Sequence, residues 1–520
     1  MVNPNDMNTY LQRLRSGRGL QVLITGFCVL TAAVLFCVTP SAHGVDLADA
    51  PLFTKINPPP TNLMILQDDS GSMTYEILVR GEYDGKFPNP DRPDTEGFCY
   101  VFDNMGDGYN YTDPGRHMGK EGRKYWRSQW YEVNAVYYNP NTVYEPWPDH
   151  AGKPFEPADI DKPLVHPLRT ETLDLDRESF RVDIDNDGDG TDDGNLRIAW
   201  SHYFVRSNGT VYLVILENGN ISYYTFTTDN GLEPNDKIEM VTPVSVSDVP
   251  ADIQRSYDAD RQNFANWFTY HRRREFVAKA AIARVIRNLD GVRVGILGIN
   301  KRIVAPLKPV QAVISGEFKD ESDALIETLY AYRSGGGTPL KTGLAKVGEY
   351  FRVNDGDLAG EDGDAPYPSD GGDCQQSFTI VVTDGYYSDR SYNPATVGNA
   401  DGDKDFAEWG GGKQPYTDKY DVTLADIAMY YYATDLSPDE EDKPKGNGFL
   451  DQVPTNKWDA APHQHMVTFA VAFGVSGTLN PDDYVDDRTS ADYMKSKSTD
   501  DYVVWPEVAG NRQPESIDDL

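Results

Sequence analysis

The chain has 520 residues, with 82 Asp and Glu against 48 Lys and Arg and a formal net charge of −34. A surface this acidic has no basic stripe with which to displace counterions from phosphates, which excludes nucleic-acid binding. The length admits two or more domains, or one α/β domain carrying large insertions.

At the amino terminus, Arg13, Arg15 and Arg18 precede an apolar run from Leu20 to Val38, closed by Pro40-Ser41-Ala42-His43-Gly44. A basic region, a hydrophobic region and the small pair Ala42 and Gly44 make residues 1–44 an export signal, with an uncleaved anchor as the alternative. No later segment is apolar enough to span a membrane. Residues 45–61, with Pro58-Pro59-Pro60, read as a linker.

From Asn62 to Asp68 the compact apolar run Leu63-Met64-Ile65-Leu66 predicts a buried strand ending in acids. Between 75 and 261 the composition shifts to Gly, Pro, Asn, Asp and aromatics. There Val211–Leu216 and Ile221–Phe226 flank Glu217-Asn218-Gly219-Asn220, a hairpin signal, so this stretch reads as a β-rich insertion. Phe264–Leu289 then has helical periodicity, with Ile282, Val285, Ile286 and Leu289 at i, i+3, i+4 and i+7. Val292–Ile299 predicts a strand, Asp323–Arg333 a helix, and Pro339–Phe351 a helix opened by proline. Phe378–Thr383 and Met466–Phe473 predict strands on either side of a helix at Leu424–Thr434. Apolar strands alternating with helices imply an α/β fold, a parallel sheet with helices on both faces, built from 62–74 and 262–480. Residues 481–520 form a C-terminal extension.

Three loops carry hard oxygen donors at strand ends or helix starts, where α/β sheets bind ligands. They are Asp68-x-Ser70-x-Ser72, Gly335-Gly336-Gly337-Thr338-Pro339 and Thr383-Asp384-Gly385. Asp68, Ser70, Ser72, Thr338 and Asp384 together make an all-oxygen site for Mg²⁺, Mn²⁺ or Ca²⁺. The two carboxylates are expected to neutralise a divalent ion and leave a position for a partner's carboxylate. A second candidate is the acidic turn Asp183–Asp193, which contains DxDxDG twice. Asp185, Asp187, Asp189, the Thr191 carbonyl and Asp193 are its Ca²⁺ ligands in the second register. An EF-hand's closing Glu is missing, because Leu196 stands there.

Other features read more plainly. Asp401, Asp403 and Asp405 share that spacing without the glycine and read as solvated acids. His463-x-His465 lacks further zinc ligands. Arg272-Arg273-Arg274 reads as a solvated helix face, with pairing to the acidic insertion as the alternative. The 32 tyrosines suit an amphipathic binding surface or a β-rich composition. Cys99 and Cys374 suggest one disulfide, closing a loop of about 275 residues and contributing roughly 5 kcal/mol; two separate thiols are the alternative.

The three loops resemble the metal-ion-dependent adhesion site of von Willebrand factor A domains. Four stretches resemble the PilY/PilC family of type IV pilus tip-associated adhesins: Asn263–Tyr270, Thr338-Pro339-Leu340, Leu424-Ala425-Asp426-Ile427-Ala428, and His465-Met466 leading to Gly474–Leu479. The resemblance implies a non-enzymatic, exported protein of the periplasm or outer cell surface, working in adhesion and pilus assembly with minor pilins or the pilus tip. Ile517-Asp518-Asp519-Leu520 is similar to that family's junction into a C-terminal β-propeller, and the chain stops there. It also departs from generic A domains, in which a helix follows DxSxS at once. A free extracellular A-domain protein is the runner-up reading. A metal-dependent hydrolase is the third, and it lacks a paired general base or activated nucleophile near the loops.

Overall fold

The computed structural model describes residues 59–79, 85–89, 97–103, 114–229, 236–353, 358, 366–367, 372–389, 397–402, 408, 417, 420–437, 451–474, 477–485, 490, 492–499 and 501–504. The expected export signal, most of the linker, Asp403, Asp405 and the terminal Ile517–Leu520 stretch lie outside the described residues. Among the described residues no helix is long and apolar enough to cross a membrane.

Strand β1 (Thr61–Gln67) is followed, after a long irregular stretch, by β2 (Glu178–Ile184), β3 (Asn195–Ala199), β4 (His202–Ser207), β5 (Thr210–Glu217), β6 (Asn220–Thr228) and β7 (Ile238–Val244). Next come helices α1 (Tyr257–Tyr270) and α2 (Arg274–Asn288), then β8 (Val292–Gly298), β9 (Val304–Val310) and the small hairpin β10 (Ala312–Ile314) and β11 (Glu317–Lys319). Helices α3 (Ser322–Ala331) and α4 (Leu340–Val353), strand β12 (Ser377–Thr383), helix α5 (Leu424–Ala433) and strand β13 (Met466–Ala472) complete the order.

One five-stranded sheet runs β13-β12-β1-β8-β9. Its three pairings from β13 to β8 are parallel, and β9 closes the edge antiparallel to β8. From β1 the chain winds outward through β8 and β9, then returns to the other side of β1 for β12 and β13. The switch point, where ligands bind in such sheets, therefore lies at the carboxyl ends of β1 and β12.

Alternation along β1 divides its side chains between two cores. Ile65 packs with Val294 and Ile296 and with Phe276, Ile326 and Leu329 of α2 and α3. Met64 and Leu66 pack with Leu297 and with Leu344, Val347 and Ile427 of α4 and α5. Helices thus cover both faces, as expected of nearly all-apolar strands. Helix α4 approaches α5 so closely that a Cβ on Gly348 would strike the Tyr431 ring. Gly348→Ala is expected to cost about 1–3 kcal/mol, read as a lower denaturant midpoint; an unchanged midpoint would mean that the helix contact gives way freely.

The expected hairpin is present as β5 and β6, inside a six-stranded sheet ordered β3-β2-β7-β6-β5-β4. One face of this sheet packs Phe180, Phe204, Leu213 and Ile215 on Trp126 and Trp130. The other face supplies Tyr203, Val214 and Leu216 to the same apolar cluster that contains Ile65, Trp267 and Phe276. The inserted sheet therefore shares a core with the main sheet on one face, besides the smaller core on its other face.

Two expectations are corrected here. The helix anticipated over Phe264–Leu289 is two helices, broken at 271–273. No Gly or Pro marks the break. Instead the Arg272 guanidinium donates to the Phe268 carbonyl at 3.0 Å, satisfying one of the acceptors left over at the end of α1. The arginine run is also not a solvated face, because Arg272, Arg273 and Arg274 are all buried. Many tyrosines are likewise core residues: Tyr138 and Tyr203 both donate to the buried Asp260 carboxylate.

Candidate metal centre

The strand register brings the first and third loops together. Gln67 pairs with Val382, so Asp68 and Thr383 leave the sheet side by side. Asp68 is fully buried; its Oδ1 accepts from Ser70 N at 2.8 Å and its Oδ2 from Thr383 Oγ1 at 2.7 Å. The hydroxyls of Ser70 and Ser72 are 2.9 Å apart, and Ser72 Oγ donates to Asp384 Oδ1 at 3.0 Å. Asp68, Ser70, Ser72 and Asp384 therefore form one connected cluster of oxygens.

The second loop docks against the first through its backbone. Gly71 N donates to Gly336 O at 3.1 Å, and Gly335 N donates to Asp69 O at 2.7 Å. Gly336 has φ +104°, and a Cβ there would collide with Asn300, so this approach requires glycine. Thr338 follows at the entry to α4, 4 % exposed. Its amide donates to Ser388 Oγ at 3.1 Å, and its carbonyl accepts from Ser388 N at 2.9 Å. The loop is thereby tied to the segment just after Asp384.

Burial, and then the charge of Asp384, push the Asp68 carboxyl up to about 7, against the lowering effect of its hydrogen bonds from Ser70 and Thr383. Two buried carboxyls stand among hydroxyl neighbours, and all the donors are hard oxygens. The residues present fit a Mg²⁺, Mn²⁺ or Ca²⁺ ion.

Several participants carried no local signal. Asp69 is fully buried, and its carboxylate accepts from the backbone amides of Asn300 at 2.7 Å and Arg302 at 2.8 Å. It fastens the turn after β8 to the first loop. Arg274, the first residue of α2, places Nη1 2.6 Å from Asp384 Oδ2. One of the two carboxylates expected to neutralise a divalent ion, Asp384, thus also faces a guanidinium. Behind it, Glu76 Oε1 lies 3.3 Å from Arg272 Nε and 3.0 Å from Arg273 Nη2, with all three side chains buried.

The acidic turn is the tip of the β2–β3 hairpin, so no helix flanks it. Asp185, Asp187 and Asp193 each bring one carboxylate oxygen within 4.8 Å of the others. Asp185 is buried and accepts from Gly188 N at 2.7 Å and Gly190 N at 3.0 Å. Asp189 instead accepts from the Thr191 amide at 2.8 Å, so Asp189 and Thr191 stand outside the three-carboxylate group.

Cys99 and Cys374 do not pair. The Cys99 carbonyl accepts from Glu76 N, beyond the carboxyl end of β1, whereas Cys374 precedes the amino end of the parallel neighbour β12. A strand length of roughly 20 Å separates those two ends, and a disulfide needs Cα atoms within about 7 Å.

The fold and site thus define an α/β protein with a doubly wound sheet and a buried, oxygen-rich acidic cluster at its switch point. The chain is 24 % identical to the type IV pilus biogenesis factor PilY1 of Pseudomonas aeruginosa strain UCBPP-PA14, over 98 % of its own length and 39 % of that protein's. It is 27 % identical to PilY1 of strain PAK over 50 % of this chain and 23 % of the relative. These likenesses support the resemblance to the PilY/PilC family, and the chain spans about two fifths of the length of the first of these relatives. No family model matches it, and no solved structure does.

Proposed function

We propose that this chain is an exported, type IV pilus-associated adhesin and assembly factor that engages its ligand through a divalent cation. The observation that carries the proposal is the meeting of Asp68, Ser70, Ser72 and Asp384 at the carboxyl ends of adjacent parallel strands. With Thr338 they would hold the ion, which, when bound, would act as a Lewis acid towards a partner's carboxylate. The strand order supports a von Willebrand factor A-like fold for 62–74 and 262–480, with 75–261 inserted. Kinship with PilY1 supports the pilus role and, with it, minor pilins or the pilus tip as partners and a place at the outer surface or in the periplasm.

In this reading the protein's own residues orient the ligands of the ion. Ser70 N and Thr383 Oγ1 fix the Asp68 carboxylate, and Gly336 seats the second loop. A second, structural Ca²⁺ at Asp185, Asp187 and Asp193 would stiffen the β2–β3 hairpin.

The test is complementation of a deletion strain with Asp68→Ala. Surface piliation or adhesion should be lost while export continues, as read by surface immunoblot and a binding assay. Full rescue of both traits by the variant would sink the proposal.

A further inference from the structure

Asp384 is bound from two sides. Ser72 donates to its Oδ1 at 3.0 Å, and Arg274 Nη1 donates to its Oδ2 at 2.6 Å. The guanidinium is fixed by other acceptors as well. Its Nε and Nη2 donate to the Ile77 carbonyl at 3.0 and 2.6 Å, and Nη2 donates to the Gly85 carbonyl at 2.5 Å. Residue 85 has φ +71°, and a Cβ there would run into the guanidinium, so the loop is shaped around this cation. With both partners of the ion pair 1 % exposed or less, water screens the contact little.

Behind Arg274 stand Glu76 and the two guanidiniums of Arg272 and Arg273, so that side adds no surplus negative charge. Asp69 is held by the backbone amides of Asn300 and Arg302, and Lys341 lies near Asp389 at the start of α4. Within the cluster itself stand Asp68, Asp384 and Arg274, whose formal charges sum to minus one once Asp68 is ionised. Resting on the metal-site reading, we infer that Arg274 is a positioning residue that leaves the centre one negative charge short of neutralising a divalent cation. Cation and anionic ligand then bind cooperatively, each raising the affinity of the other by the same factor. An ion alone is held weakly, and a carboxylate from the partner supplies the missing charge.

The test is calorimetric titration of the full chain with Mn²⁺, with sodium acetate in large excess or sodium chloride at equal ionic strength. Wild type is expected to bind Mn²⁺ about fivefold or more tightly in acetate. Arg274→Gln should bind Mn²⁺ alone about tenfold tighter and lose most of the acetate effect. Arg274→Lys, which keeps the charge, should stay within about threefold of wild type. A folded Arg274→Gln with wild-type affinity and an undiminished acetate effect overturns the inference. If that variant does not fold, the wild type decides, since equal affinity in acetate and chloride also overturns it. Absence of any Mn²⁺ binding that Asp68→Ala removes would instead bring down the metal site itself, and the inference with it.

Discussion

In cation-free buffer the wild-type chain should lose stability relative to Asp68→Asn as pH rises from about 4 towards 7, and saturating Mg²⁺ should abolish that loss. The folded Asp68 carboxyl is held up at about 7 by burial and by Asp384, against 3.8 in the unfolded chain. Between those values the unfolded chain has released a proton that the folded chain retains, so stability falls with rising pH. The full effect is of order 4 kcal/mol. The asparagine variant carries the neutral form at every pH and isolates this one group from the many other carboxylates. A bound divalent ion removes the cost of ionisation and lets Asp68 ionise in the fold. The measurement is the denaturant midpoint at several pH values in EDTA and in Mg²⁺. Superimposable profiles for wild type and Asp68→Asn would show that Asp68 ionises freely without metal.

Glu76→Ala should cost about 3–5 kcal/mol, among the largest single-residue losses in the molecule. Its carboxylate faces two buried guanidiniums, Arg272 and Arg273, and its Oε2 also accepts from the Phe102 amide at 3.0 Å. Removing one member of a buried ionic network leaves the others in low dielectric without it, and that penalty exceeds the net value of the interaction itself. Guanidinium-chloride unfolding reads the change directly. A loss below about 1 kcal/mol would mean that water enters and solvates the arginines.

What the sequence disclosed follows from where the information sits. Strands β1 and β8 were legible because burial on both faces writes itself as compact apolar runs, and β12 and β13 carry apolar runs too although Phe469 and Val471 of β13 are exposed. The acids and hydroxyls of the site were legible because each lies within a few residues of such a run's end. Arg272–Arg274 were not. Their carboxylate partners stand 196 positions back in the chain at Glu76 and 110 positions on at Asp384. A run of three like charges carries no local sign that each will find a buried carboxylate, two of them the same one. The helix break at 271–273 was hidden for the same reason, since the groups that end α1 include a guanidinium instead of a glycine. Asp69, next to Asp68, shows that adjacent identical residues can take unlike tasks, one facing the site and the other bracing the turn after β8.

The shared core and the seat of Arg274 have a practical consequence for anyone wishing to dissect this protein. A minimal five-stranded domain, made by splicing 74 to 262, would look complete on a topology diagram. It would lack the Ile77 and Gly85 carbonyls that cradle Arg274, and it would strip Tyr203, Val214 and Leu216 from the apolar cluster that supports α2. The insertion is thus scaffolding for the cluster of acids and not a detachable appendage, and pieces for binding studies are better cut outside residues 59–504.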